Sequence, residues 1–215
     1  MKAFNGTPWY DNLPDGLVYF NAVAYAYKGT MPENTSIIIK EGTVCITASA
    51  FAECSGLTSI DIPSSVTSIG SWAFDHCSSL TSVTIPDGIT SIGDNTFSAC
   101  SGLTSVSIPD GVTSIGDETF YGCSALTDVF CRAEKVPTTG DDVFEDSNIA
   151  NATLHVPAGS VKAYKSAEPW SQFKEIVALE EEQGGGRYDA KYDLNDDGKV
   201  DAADVVMLVN FIAGK

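Results

Sequence analysis

The chain has 215 residues, a length that allows one or two domains, and a net charge of −17 at pH 7. That charge argues against nucleic acid, whose phosphates need a basic face, and against an anionic membrane surface; it favours solubility and cation binding. No stretch of 18 apolar residues occurs, so no transmembrane helix is expected.

Met1-Lys2 is followed by Ala-Phe-Asn-Gly-Thr, which is not the apolar core of a leader. Residues 1–33 hold two short β-rich runs, Gly16-Leu-Val-Tyr-Phe and Val23-Ala-Tyr-Ala-Tyr, meeting near Asn21. This predicts a β-hairpin cap, with Trp9, Tyr10, Tyr19, Tyr25 and Tyr27 supplying its bulk rather than a ligand platform.

Residues 34–150 repeat with a period of 23. The sentence is L-x-x-I-x-I-P-x-x-[VI]-T-S-I-G-x-x-x-F-x-x-C-[SA]-x, with copies at 57–79, 80–102 and 103–125. Phe51, Phe74, Phe97 and Phe120 fall in one slot, and Cys54, Cys77, Cys100 and Cys123 in another. Residues 34–56 are a worn copy, in which Lys40 replaces the proline and Thr47 the glycine. Residues 126–150 are a divergent one, with Phe144 placed 24 residues after Phe120. A fixed period of this size predicts a solenoid, since one coil cannot keep its own interior dry and stacked neighbours wall it in.

Within a copy, Ile60 and Ile62 alternate with polar residues and predict a strand with one buried and one wet face. Pro63, Pro86 and Pro109 end that strand, because proline offers no ladder donor. Val66 and Ile69 predict a second short strand ending at Gly70, after which Phe74 and Cys77 turn inward. Burial at about 1.5–3 kcal/mol per apolar side chain is then the main force in the stack. The periodic cysteines read as a buried ladder rather than a disulfide framework. Cys131, 23 residues after Ile108, replaces a core isoleucine, and Cys45 aligns with the polar Ser68. With only His76 and His155 and no C-x-x-C, the sequence argues against zinc.

Residues 151–179 break the period and read as a C-terminal cap. Ala152-Thr-Leu-His-Val-Pro gives a last strand, and helical spacing follows from Ala158 to Trp170, then Phe173, Ile176 and Val177. Residues 180–187 are charged and then glycine-rich, which predicts a flexible linker. Residues 188–215 form a separate unit that fits a Ca²⁺-loop pattern. Asp193, Asn195 and Asp197 give side-chain oxygens at positions 1, 3 and 5, and Gly198 permits the sharp turn. Lys199 gives its carbonyl, Asp201 acts directly or through water, and Asp204 closes the site at position 12. An amphipathic helix through Val205, Val206, Leu208, Val209 and Ile212 is expected next.

Two resemblances follow from these motifs. The loop and helix resemble one half of a type I dockerin, and such single segments are similar to the C-terminal tails of secreted repeat proteins of gut bacteria. Complete dockerins carry two segments and bind cohesins. The 23-residue sentence resembles the BspA-like, or Treponema-type, leucine-rich repeat, over about residues 34–150. Trp9-Tyr-Asp-Asn and Pro14-Asp-Gly-Leu-Val-Tyr resemble that family's N-terminal cap, and Val156-Pro-Ala-Gly-Ser-Val-Lys-Ala-Tyr with Trp170 and Phe173 its C-terminal cap. The expected fold is a β-rich leucine-rich repeat solenoid of 23-residue coils with two caps and a small Ca²⁺-loop–helix tail. The resemblance implies an exported protein, its leader removed, that works at a bacterial surface or beyond it by binding a host protein or glycan, without catalysis. The alternative is an accessory subunit docked into an extracellular glycan-processing assembly, with a cohesin-like partner held by the tail.

The outward strand positions should form rows: Ser59, Ser82, Ser105, Asp128 in one and Asp61, Thr84, Ser107, Phe130 in the next, flanked by Thr58, Thr81, Thr104 and Thr127. They read either as a hydroxyl-rich platform or as solvated β-formers on an idle face. Trp72 stands where other copies have Asn95 and Glu118, and is an exposed anchor or a locally buried residue. No nucleophile–base pairing, P-loop or metal–histidine motif appears.

Overall fold

A computed structural model describes residue 4 and residues 6–179. The chain divides into two units, 1–179 and 180–215, and the described residues belong to the first. The predicted linker and Ca²⁺ loop lie outside the described residues.

The N-terminal cap opens with a single helical turn, α1 (Pro8–Asp11), with Thr7 as its N-cap. The hairpin follows as β1 (Gly16–Phe20) and β2 (Val23–Lys28), antiparallel, turning at Asn21 with φ of 51°. β2 also starts the solenoid, since Val23 and Ala24 pair in parallel with Cys45 and Ile46. Each coil then contributes two strands. The longer ones are β3 (Thr35–Ile38), β5 (Leu57–Asp61), β7 (Ser82–Thr84), β9 (Ser105–Ile108) and β11 (Asp128–Cys131). The two-residue ones are β4 (Cys45–Ile46), β6 (Ser68–Ile69), β8 (Ser91–Ile92), β10 (Ser114–Ile115) and β12 (Thr138–Thr139). The C-terminal cap adds β13 (Thr153–Val156), α2 (Val161–Tyr164) and β14 (Glu175–Ala178).

Equivalent strands pair in parallel and in register. The long ladder runs β7-β9-β11-β13-β14, so both cap strands are further rungs of the array. The ladder has one interruption: β3-β5 and β2-β4-β6 form sheets apart from those of the later coils. Across that gap the chain keeps Thr81 N–H to the Thr58 carbonyl at 3.3 Å. The corner bonds also persist there, with Trp72, Phe74 and His76 donating to the carbonyls of Asp94, Thr96 and Ser98 at 2.8–3.0 Å. Ile60 and Ile62, expected as full core residues, are only partly buried. They lie on β5 and its end, on the side where no strand pairs, so the next coil covers them incompletely.

The interior is a column. Phe51, Phe74, Phe97, Phe120 and Phe144 stack face to face at 5.3–5.7 Å with interplanar angles of 1–8°. Trp170 and Phe173 meet Phe144 edge-on, at 70° and 84°, and close the column. Beside it runs the sulfur ladder. The Cys77, Cys100 and Cys123 thiols donate to the carbonyls of Phe51, Phe74 and Phe97 at 3.2–3.3 Å. Burial raises all three thiol pKa values, that of Cys123 to about 12, so thiolate chemistry is suppressed along the ladder. Cys131 pairs in register with Ile108, is buried, and lies 3.2 Å from the Tyr164 hydroxyl.

The expected helix from Ala158 to Trp170 is much shorter: a 3-10 turn at Ala158–Ser160, α2, and a second 3-10 turn at Trp170–Gln172. Both Tyr164 and Trp170 are fully buried against the end of the core. Six residues apart, they would point about 120° away from each other on a continuous α-helix. Breaking the helix lets both enter the same opening.

Phe97 has a stacked ring on each face and no exposure. Phe97→Ala should cost about 3–5 kcal/mol in chemical denaturation, the range for emptying a large core site. A loss below 1 kcal/mol would mean that the column is not the main support.

Candidate functional site

The register puts the outward side chains of the long ladder in two rows. One reads Ser36, Ser59, then Ser82, Ser105, Asp128, Thr153 and Glu175. The other reads Ile38, Asp61, then Thr84, Ser107, Phe130, His155 and Val177. Of the eight strand residues singled out from the sequence, Ser82, Thr84, Ser105, Ser107, Asp128 and Phe130 lie on the long ladder, and Ser59 and Asp61 on the separate β3–β5 pair. The rows extend further than the repeat predicts. Ile38 adds an apolar group at one end, 75% exposed. Thr153, His155, Glu175 and Val177 add an unlike group at the other. The signal for His155 was present in Thr-Leu-His-Val. Leu154 and Val156 point inward, so Thr153 and His155 must point outward. It is missed because His155 follows Phe130 by 25 residues, and a search at the repeat period steps past it.

The flanking threonines have an internal role. Thr58, Thr81, Thr104 and Thr127 each donate a hydroxyl to the threonine carbonyl one coil back, at 2.9–3.3 Å. Thr113 and Thr138 do the same in the short-strand ladder. These hydroxyls tie coils together. Among the described residues, Ser82, Thr84, Ser105 and Ser107 have no such side-chain partner, and Ser59 bonds only the Ser36 hydroxyl, at 2.7 Å. The serine rows are thus the part of the face that faces water without an internal partner.

At the C-terminal end the face changes character. The Phe130 and His155 rings stack at 4.4 Å and 14°. His155 Nε2 donates to Asp128 Oδ1 at 3.0 Å. This bond is the main reason the Asp128 carboxyl titrates below its ordinary value. The two strands bring together an aromatic face and an oriented carboxylate, beside unpartnered hydroxyls.

Trp72 lies elsewhere. It belongs to a corner row, Ser49, Trp72, Asn95, Glu118 and Asp142, whose members all have φ between 51° and 57°. A second corner row, Glu53, His76, Ala99, Gly122 and Asp146, also has positive φ throughout. These variable slots are variable within a constraint: each must tolerate the left-handed region, which costs little for glycine and asparagine and more for a bulky residue. Trp72 is 45% exposed, so the indole is a surface group, at φ of 57°. It is not joined to the strand face. Among the described residues no group of three or more His, Cys, Asp or Glu is placed to hold a metal, and every buried side-chain nitrogen or oxygen has a hydrogen-bond partner. Nor is any helix among them long and apolar enough to cross a membrane. The positions Asp193, Asn195, Asp197, Lys199, Asp201 and Asp204 lie outside the described residues.

A stacked-coil solenoid with one registered strand face and two integrated caps defines the class: a leucine-rich repeat protein. The chain belongs to the BspA type leucine rich repeat family, whose model matches six copies over residues 23–164. It is similar to a leucine rich cell surface protein of Faecalibacterium prausnitzii, at 25% identity and a TM-score of 0.51. That match covers 73% of this chain and 35% of the other, so this chain spans about a third of that protein. It is also similar to a leucine rich repeat protein of T. pallidum, at 26% identity and a TM-score of 0.58, covering 73% and 74% of the two chains. No curated protein sequence matches it.

The His155 bond gives a pH signature. Because the folded carboxyl of Asp128 is depressed below 3.8, its contribution to stability is fully present above about pH 4 and is lost as pH falls through the lowered value. Asp128→Asn should therefore lose less melting temperature than wild type between about pH 4 and pH 2. The effect is small, since the carboxylate is partly solvated. Identical pH profiles for both proteins would show that the bond carries no weight.

Proposed function

We propose that the chain is an extracellular or cell-surface adhesion protein that binds a host protein or glycan on its strand face. One observation carries this reading: the two kinds of side chain in each coil are separated. Inward residues and the threonine hydroxyls are occupied by stacking, while the outward rows hold unpartnered hydroxyls that end in Asp128, Phe130 and His155. A rigid face of this kind is an extended binding surface by geometry. The cell-surface description of the F. prausnitzii protein supports the location. Binding rather than catalysis is the role.

Arrays of matrix proteins and glycans, probed with the full chain, test this. Binding is expected on some of them. Replacing Ser82 and Ser105 by arginine, which leaves the interior untouched, should abolish it. Binding that survives both substitutions would move the site off the strand face.

We further propose that residues 188–215 take up Ca²⁺. The support is the donor set, hard oxygens at loop positions 1, 3, 5, 7, 9 and 12, which suits a cation of six to eight oxygen ligands. Bound there, the cation would offset the repulsion of the clustered carboxylates and order the segment. Calorimetry on the full chain should show Ca²⁺ heat that Asp193→Ala with Asp204→Ala removes. Equal heats in both would place any Ca²⁺ elsewhere. The second reading, docking to a cohesin-like partner, rests on the dockerin-like spacing of this same segment, and a pull-down that loses its partners when 188–215 is deleted would favour it.

A further inference from the structure

We infer that the junction between coils 57–79 and 80–102 is a hinge whose closing joins the two parts of the strand face into one ladder. The hinge is read from the backbone; its use rests on the strand-face reading above.

Three kinds of backbone bond recur between coils, and all three lapse at this junction. Ile39 and Ile85 donate N–H to the carbonyls of Asp61 and Ser107 at 2.9–3.0 Å, but Ile62 makes no such bond to Thr84. Thr67, Thr113 and Thr138 donate to Val44, Thr90 and Thr113 at 2.9–3.0 Å, but Thr90 does not reach Thr67. Gly70, Gly116 and Gly140 donate to Ile46, Ile92 and Ile115 at 2.8–2.9 Å, but Gly93 does not reach Ile69. Both strand ladders therefore break between the same two coils, β5 from β7 and β6 from β8. The approach of the two chains loosens as well. A methyl group on Gly93 would stand 3.1 Å from the Ser71 nitrogen, whereas the same approach at Gly70, Gly116 and Gly140 is 2.4–2.6 Å. Ile60 and Ile62 stay partly buried, while their copies Val83 and Ile85 are at most 3% exposed.

The corner side of the same junction is intact. Phe74 N–H meets the Thr96 carbonyl at 2.9 Å, equal to the bond from Phe97 to Thr119. The Phe74 and Phe97 rings lie 5.3 Å apart, as do those of Phe51 and Phe74. The Cys100 thiol reaches the Phe74 carbonyl at 3.2 Å. A junction fastened along its corner and unfastened along both strand sides is free to turn about the corner. Turning inward pairs donors and acceptors that the junctions on either side already pair, so the closed form has defined bonds and buries Ile60 and Ile62. It also sets Ser59 beside Ser82 and Asp61 beside Thr84, the step at which the outward rows are interrupted. A ligand that contacts both halves then favours the closed form, because only that form offers it both sets of contacts.

Hydrogen exchange on the full chain, without ligand, tests the hinge. Thr81, Thr104 and Thr127 each donate N–H to the threonine carbonyl one coil back, at 3.3, 2.8 and 2.9 Å, and only the bond of Thr81 crosses the hinge. Thr81 should exchange about tenfold faster than Thr104, while Phe74 exchanges as slowly as Phe97. Equal rates for Thr81 and Thr104 would overturn the inference. So would a Phe74 amide as fast as that of Thr81, since the whole junction would then part rather than turn. Spin labels give a second reading, in a Cys45→Ser background that removes the half-buried thiol. Labels on Ser36→Cys with Ser105→Cys span the hinge, and labels on Ser82→Cys with Thr153→Cys span as many coil steps beyond it. The first pair should give a distance distribution about twice as wide as the second, and equal widths would count against the hinge. Neither reading involves a ligand. Array binding with a rigid junction removes the hinge and leaves the strand-face function, and a moving junction without array binding does the reverse.

Discussion

The structure depends on one relation, the placement of each side chain directly against its own copy in the next coil. The phenylalanine column expresses it most plainly, with rings within 8° of parallel from Phe51 to Phe144. A ring stacked on both faces is removed from water more completely than a single coil could manage, so no coil is stable alone. The same relation sets the hydrogen bonds. Thiols, threonine hydroxyls and corner amides all reach to the coil before or after. Burial and polar satisfaction thus come from the same translation, which is why a small menu of residue types suffices for the interior.

A stack built this way has open ends, and the two ends are closed differently. At the start, the β1–β2 hairpin turns its second strand into the first rung and sets its own aromatic cluster of Tyr10 and Tyr25 behind it. At the finish, face-to-face stacking must stop, and Trp170 and Phe173 stop it by meeting Phe144 edge-on. Tyr164 fills the remaining opening and satisfies its hydroxyl on the Ala133 carbonyl at 2.9 Å. The interruption between β5 and β7 shows what happens where strand pairing lapses inside the array. The corner amides and the rings still carry the stack, and Ile60 and Ile62 lose part of their cover.

The constraint also decides where binding chemistry can sit. Corner slots must accept positive φ, so they favour small or polar residues, and Trp72 holds an indole at a position where the backbone conformation is disfavoured for it. Outward strand slots carry no such restriction, and there the copies diverge freely toward the C-terminal end. The contact between Phe130, His155 and Asp128 arises because a repeat strand and a cap strand become neighbours.

The sequence alone determined the coil length, the two strands per coil, most of the interior residues, Ile60 and Ile62 being only partly buried, and the outward strand positions up to Phe130. All of these follow from periodicity, and periodicity is a property of the chain. It did not determine the role of the threonines, whose hydroxyls look the same whether they face a ligand or the carbonyl of the previous coil. Nor did it reach the left-handed corners or the short C-terminal helix, because each reflects how neighbouring coils and the open core end fit together. Above all it could not place His155 against Phe130. That neighbourhood breaks the period, and only the parallel pairing of β11 with β13 brings the two rings within stacking distance.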